Sequence, residues 1–254
     1  MKLKMNPMRL TRHISFLLLL VFLSSCSRQT YNVQRTDYAA NRFITENIAE
    51  DPSANQIILP YKENLDGEMN RVISYTPIDL HKDGFNSPLA NLNCDLILEE
   101  SNLIFEKRHQ RKIDICLLNH GGIRRTFTKG DLTVRNIYEW MPFENEALVV
   151  TLRGDQILKM VEYLSNSGKG HPISGIKFKV NDENSIEING EKLNLNNTYA
   201  VVTNDYLQKG GDEMYFFAEP VEMEFLNLKL RDMMLQYFEK HDTIRVNLDQ
   251  RLIQ

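Results

Sequence analysis

The chain has 254 residues, with 30 Lys and Arg against 34 Asp and Glu, a formal net charge of −4 and 42% apolar residues. That near-balance excludes a binder driven onto nucleic acid by charge, and no basic block interleaves with aromatics as a strand-binding groove requires. Three cysteines, at positions 26, 94 and 116, imply no disulfide framework.

At the N-terminus, Lys2, Lys4, Arg9 and Arg12 precede an apolar run over residues 14–23, and Leu23-Ser24-Ser25-Cys26 follows. A charged start, an apolar run too short to span a bilayer comfortably and small residues before a cut are the marks of an export signal. The segment resembles a bacterial lipoprotein signal. On that resemblance residues 1–25 are removed and Cys26 is acylated, which anchors an exported chain at the periplasmic face of a membrane, with Ser27 compatible with the outer membrane. A plain secretory signal or a short anchor helix is the alternative, and each exports the domain. Residues 26–50 are polar and without a sustained period, as in Gln29, Thr30, Asn32, Gln34 and Arg35, and are expected to form a flexible tether. Residues 51–254 then hold one domain with a proper core.

In chain order, residues 54–69 fit an amphipathic helix through Ile57, Ile58, Leu59, Tyr61 and Leu65, and residues 72–78 a strand, with Pro60 and Pro77 interrupting both patterns. Leu89, Leu92, Leu96, Leu103 and Ile104 recur at helical spacing over residues 89–109, and the far end is basic. The apolar run 113–118 reads as a buried strand. Thr133 caps a short helix that ends at Trp140 before Pro142, residues 147–152 form a strand, and 154–164 a helix. Residues 173–180, 185–188 and 198–203 read as antiparallel strands between Gly, Asn and Asp turns. Phe225, Leu228, Leu230, Met233, Met234, Tyr237 and Phe238 suggest a closing amphipathic helix over 225–238. Cys94 and Cys116 sit in apolar or helical runs and are expected as two buried thiols. One mixed α/β domain without repeats accounts for the pattern.

Three segments carry chemistry. Asn119-His120-Gly121-Gly122-Ile123-Arg124-Arg125 follows the strand at 113–118, bringing two glycines and two arginines to one sheet edge. Glycines let backbone N–H groups approach an anion, and an arginine fork matches phosphate or carboxylate oxygens. Taken alone, the segment is read as a tight turn with solvated arginines, the anion site being its alternative. In Thr203-Asn204-Asp205-Tyr206-Leu207-Gln208-Lys209-Gly210-Gly211-Asp212, a carboxylate suited to sugar hydroxyls follows an aromatic ring suited to a base. Pro142-Phe143-Glu144-Asn145 presents a second aromatic and an amide. Each of these two is, alone, also an ordinary turn or packing segment.

Taken together, and joined by Lys129-Gly130-Asp131-Leu132-Thr133 and Leu152-Arg153-Gly154, these motifs resemble in order and spacing the C-terminal, substrate-binding domain of the bacterial 5'-nucleotidase / UDP-sugar hydrolase / 2',3'-cyclic phosphodiesterase family. The resemblance spans residues 72–217. It implies a layered α/β/β/α domain in which Phe143 and Tyr206 hold a base, Asn145 touches the base edge and Asp212 the ribose hydroxyls. Asn119, Gly121, Gly122 and Arg124 take the ribose and phosphate end. Arg125 has no counterpart. Asn86-Ser87-Pro88-Leu89-Ala90-Asn91-Leu92 resembles the family's helix-start motif, but the arginine expected shortly before it is missing, which implies either a weaker phosphate grip or substitution by Lys82.

Enzymes of this family cut phosphate esters with a two-metal centre in a separate N-terminal metallophosphatase domain. The six histidines here (His13, His81, His109, His120, His171 and His241) are scattered and lie in none of its ligand motifs. No metal or other cofactor is expected in this chain, and divalent metals belong to a partner. Catalytic residues are not assigned: no nucleophile elbow exists, and Glu144 or Asp212 as a general base has no metal or paired carboxylate to support it. The expected function is the nucleotide-binding half of a 5'-nucleotidase-type hydrolase, recognising base and ribose for a separately encoded metallophosphatase. The alternatives are a cell-surface lipoprotein that binds nucleosides or nucleotides without catalysis, and a repurposed scaffold with no nucleotide site.

Overall fold

The computed structural model describes residues 31–41, 43–46 and 48–254, so the signal segment and Cys26 lie outside the described residues. Residues 1–51 and 52–254 are separate units, and the described residues of the first carry no helix or strand. The second opens with helix α1 (Pro52–Met69), which continues through Pro60 and has no buried side chain. The helix expected here forms, but its apolar stripe stays largely open: Ile57, Ile58, Tyr61 and Leu65 are all more than half exposed.

Strand β1 (Val72–Thr76) follows, then α2 (Pro88–His109), which starts where local chemistry directs. The Ser87 hydroxyl accepts a hydrogen bond from the Ala90 amide at 3.2 Å, and Pro88 occupies the first turn, where no N–H is needed. Lys107, Arg108 and His109 sit at the negative end of the helix dipole. After β2 (Ile115–Leu117) and β3 (Gly130–Thr133), α3 (Val134–Trp140) is closed at its start by a capping box between Thr133 and Asn136. Then come β4 (Glu146–Arg153), α4 (Gly154–Asn166), β5 (Ile173–Ser174), β6 (Ile176–Lys179), β7 (Asp182–Ile188) and β8 (Glu191–Lys192). The unit ends with β9 (Thr198–Asn204), α5 (Asp205–Gln208), β10 (Glu222–Lys229), α6 (Leu230–Lys240) and β11 (Leu252–Ile253).

A five-stranded sheet in the order β10-β4-β9-β2-β5 forms the middle layer, with β2 and β9 parallel and every other pair antiparallel. Its side chains alternate between two cores, as a period of two dictates when both faces are covered. Cys116, Ala147, Val149, Ala200 and Val202 face α2, α6 and Trp140, while Ile115, Leu117, Leu148, Val150 and Val201 face α4 and the strands β6 and β7. Those last two strands belong to a four-stranded sheet, β11-β6-β7-β8, and β1 pairs with β3 separately. The result is the mixed α/β layering expected from the sequence.

Two expectations are corrected and one is refined. Residues 173–180 are two strands in two different sheets, because the chain turns at Gly175 with φ +78°, where a Cβ would lie 2.0 Å from the Asp114 carbonyl oxygen. Residues 198–203 form a strand antiparallel to β4, as expected, but it lies in the middle of the large sheet and also runs parallel to β2. Residues 225–238 are not one helix. The first part is β10, paired to β4 from Glu222 to Lys229, with a bulge where Asn227 adopts φ +58°. Pairing with an open sheet edge satisfies that backbone, and the helix begins only at Leu230.

Candidate functional site

Because β2 and β9 are parallel and β4 runs against them, the C-terminal ends of β2 and β9 and the start of β4 lie at one edge of the middle sheet: Ala147 pairs with Asn204, and Cys116 with Val202. The segments that follow or precede these ends are the Gly-Gly turn, the Pro142–Asn145 loop and the stretch from Asn204 to Asp212. Loops beyond the carboxyl ends of strands are the usual place for ligand sites in α/β sheets. Here Asn119, Gly121, Gly122, Arg124, Phe143, Asn145, Tyr206 and Asp212 together line a cleft of ≈ 350 Å³. That set is the full group of binding residues expected from the sequence, and the volume is in the range of small-ligand pockets.

Asn119 leads into a short 3₁₀ turn, His120–Gly122, and is buried, 8% exposed. Its side-chain amide donates to Asp212 Oδ2 at 2.8 Å. The other Asp212 oxygen, Oδ1, accepts from the Tyr206 hydroxyl at 2.8 Å, and that hydroxyl in turn accepts from the Asp212 amide at 3.3 Å. Tyr163 on α4 donates its hydroxyl to the Asp212 carbonyl at 2.8 Å. These bonds hold Asp212 in a left-handed conformation, φ 50°, with Glu213 beside it at φ 61°, a combination that costs on the order of 1 kcal/mol or more per residue without such support. The hydrogen bond to Asp212 pushes the Tyr206 phenol above its ordinary range.

The two aromatic walls are partly open, Phe143 at 39% and Tyr206 at 45% exposure. Arg124 lies over the Phe143 ring, 6.0 Å from its centre, and a 3.0 Å hydrogen bond from its amide to the Trp140 carbonyl fixes its backbone. Tyr206 stands on α5, whose start is capped by Asn204 accepting from the Leu207 amide at 2.9 Å. The cleft thus offers two ring faces, a carboxylate acceptor, a guanidinium donor and two amides, with no second acidic group in its lining. That chemistry suits a flat heterocycle joined to a hydroxylated, anionic tail.

Residues around the cleft fall differently from expectation. Arg125 ion-pairs with Glu139, outside the cleft lining. Lys82 donates to the Ile123 carbonyl at 3.0 Å, next to the Gly-Gly turn but likewise outside the lining. His120 is not among the lining residues either; its amide donates to Nδ1 of His171 at 3.4 Å. Burial drives the His171 imidazole down to about 4, repulsion from His120 and Lys169 adding to it and the Asp212 carboxylate opposing it. Glu144, weighed as a general base, is ion-paired to both Arg231 and Lys229, and these hold its carboxyl at about 2. Such an acid gives little driving force for accepting a proton near neutral pH. Sequence reasoning missed Tyr163, His171 and Arg231, and no local motif marks them, since each acts through residues far away along the chain.

Fold and cleft define a mixed α/β domain with a preformed, aromatic-walled, small-molecule-sized site at one sheet edge. The family model "5'-nucleotidase, C-terminal domain" matches residues 71–219, and the chain belongs to that family. The trifunctional nucleotide phosphoesterase YfkN of Bacillus subtilis is 30% identical over 198 residues, which are 69% of this chain and 13% of YfkN. UshA of Yersinia enterocolitica is 22% identical, covering 84% of this chain and 39% of its own length. The 5'-nucleotidase precursor of Thermus thermophilus superposes with a TM-score of 0.65 at 26% identity, over 80% of this chain and 43% of that one. The chain therefore spans less than half the length of each of these relatives.

Proposed function

We propose that the cleft binds a nucleoside phosphate: the base between Phe143 and Tyr206 with Asn145 on its edge, the ribose hydroxyls on Asp212, and the ribose and phosphate end along Asn119, Gly121, Gly122 and Arg124. The observation that carries the reading is the gathering of these eight residues around one cleft of ≈ 350 Å³. In this reading the chain is the recognition half of a 5'-nucleotidase-type hydrolase. A metallophosphatase on a separate chain holds the divalent metals and breaks the phosphoester bond. The division is motivated by a cleft whose single carboxylate already accepts hydrogen bonds from Asn119 and Tyr206, leaving recognition rather than bond cleavage as its chemistry. Lipid on Cys26 holds the chain at the periplasmic face of the membrane.

Calorimetric titration with AMP, adenosine and UMP tests the recognition step. Each aromatic removed by Phe143→Ala or Tyr206→Ala is expected to weaken binding by about 10- to 100-fold, the worth of one base-stacking contact. Unchanged affinity in both variants refutes the clamp. Mixing the purified chain with a metallophosphatase and Mn²⁺ should release phosphate from AMP, whereas release by the chain alone refutes the divided enzyme.

A further inference from the structure

The Phe143 wall stands on a loop with no regular structure of its own, Met141 to Asn145, and a neighbouring junction holds it. Where β10 ends and α6 begins, three consecutive residues reach this loop. Lys229 pairs with one Glu144 carboxylate oxygen and Arg231 with the other. Between them, the Leu230 amide donates to the Asn145 carbonyl at 3.0 Å. The same Arg231 guanidinium donates to the Met141 carbonyl at 3.4 Å and the Phe143 carbonyl at 3.3 Å, and it lies 4.5 Å from the centre of the Tyr138 ring. Arg231 is 6% exposed, while Glu144 is open to solvent. A buried guanidinium needs partners in a fixed plane, and only a planar fork reaches two carbonyls and a carboxylate at once.

We infer that Arg231 is a positioning residue for the aromatic clamp: with Glu144 it clips the 141–145 loop to α6, so that the Phe143 ring faces Tyr206 before any ligand arrives. The inference rests on the nucleotide reading of the cleft. Preorganisation of this kind acts on affinity because the loop's freedom is lost on folding rather than on binding. The effect should fall mainly on ligands that carry a base, since Asn119 and Asp212 are held by contacts outside the loop, and Arg124, although it lies over the Phe143 ring, is also bonded to the Trp140 and Gly121 carbonyls.

The test titrates wild type, Arg231→Met and Glu144→Gln with AMP and with ribose 5-phosphate. Arg231→Met should weaken AMP about tenfold and leave ribose 5-phosphate nearly unchanged, with a smaller loss of the same kind in Glu144→Gln. In a Phe143→Ala background, Arg231→Met should cost no further AMP affinity, because the wall that it positions is gone. Parallel weakening of both ligands, a further loss in that background, or wild-type AMP affinity in Glu144→Gln overturns the proposal. Should Arg231→Met not fold, Glu144→Gln decides alone. If wild type binds neither ligand, the nucleotide reading fails, and hydrogen exchange at residues 141–145 then judges the clip: faster exchange in Glu144→Gln supports it, and unchanged exchange refutes it.

Discussion

Asp212 and Tyr206 show how one position can depend on an atom that is missing from its neighbour. The Tyr206 ring packs over Gly211, where a Cβ would lie 2.5 Å from Cε1 and 2.6 Å from the Tyr206 carbonyl oxygen. Gly211→Ala must therefore move the ring, and moving it separates the phenol from the Asp212 carboxylate that it now binds at 2.8 Å. Crowding of this kind typically costs about 1–3 kcal/mol, so a melting temperature lower by roughly 2–10 °C is expected for a domain of this size. AMP affinity should fall by about tenfold alongside it, as a stacking wall is displaced. Calorimetric titration and a thermal melt of the same variant check both, and wild-type affinity would show that the ring is free to settle elsewhere.

Among elements, the junction between β10 and α6 matters most to the site. A single helix over 225–238 would turn Lys229, Leu230 and Arg231 about its axis. The strand-to-helix break instead presents all three toward the 141–145 loop. Packing of α2 on β2 gives a second expectation. Cys94 and Cys116 bring their sulfurs to 3.0 Å, both are fully buried, and burial pushes the Cys116 thiol far up. Thiolate is the reactive form, so neither residue should react with a maleimide in the native protein, and both should react in guanidinium. Peptide mapping by mass spectrometry reads this directly. Labelling of the native state would contradict the packing, and failure to label after unfolding would mean that the pair had been oxidised.

Across the whole molecule, stability should depend on pH through His171. Its folded-state value of about 4 lies below the ordinary 6.5 because burial disfavours the charged ring. Above pH 6.5 neither folded nor unfolded chain holds this proton, and its contribution is complete. Between 6.5 and 4 the unfolded chain takes up a proton that the folded chain refuses, so stability falls as pH falls. The loss is on the order of 3 kcal/mol, because a tenfold difference in proton affinity between the two states corresponds to about 1.4 kcal/mol. Urea melts at pH 7, 6, 5 and 4.5 should show that slope in wild type and a flatter one in His171→Gln. Equal slopes would place the acid sensitivity elsewhere. The same ring sits beside Tyr163, 5.5 Å between centres, which donates to the Asp212 carbonyl, so acid unfolding and loss of the Asp212 side of the cleft are coupled at one place in the fold.

Much of this was legible in the amino-acid order, for reasons that are local. Ser87 and Thr133 cap helices through hydrogen bonds to amides three residues on. The apolar runs at 113–118 and 147–152 announce strands buried on both faces. Short glycine, proline and aromatic motifs in a fixed order identified the family, and the eight cleft residues could be named because each lies inside such a motif. Tertiary structure decided the rest. Whether residues 222–229 coil or extend depends on the free edge of β4, far earlier in the chain, and an edge is a property of the folded sheet. Gly175 separates two strands because the chain passes Asp114 there. Arg231, Tyr163 and His171 make hydrogen bonds with residues between 49 and 90 positions away, and contacts at that separation leave no period or spacing in the sequence. Local hydrogen bonding and side-chain period thus determined most of the elements, and the family motifs named the walls of the cleft, while the long-range contacts that hold those walls in place exist only once the sheet has formed.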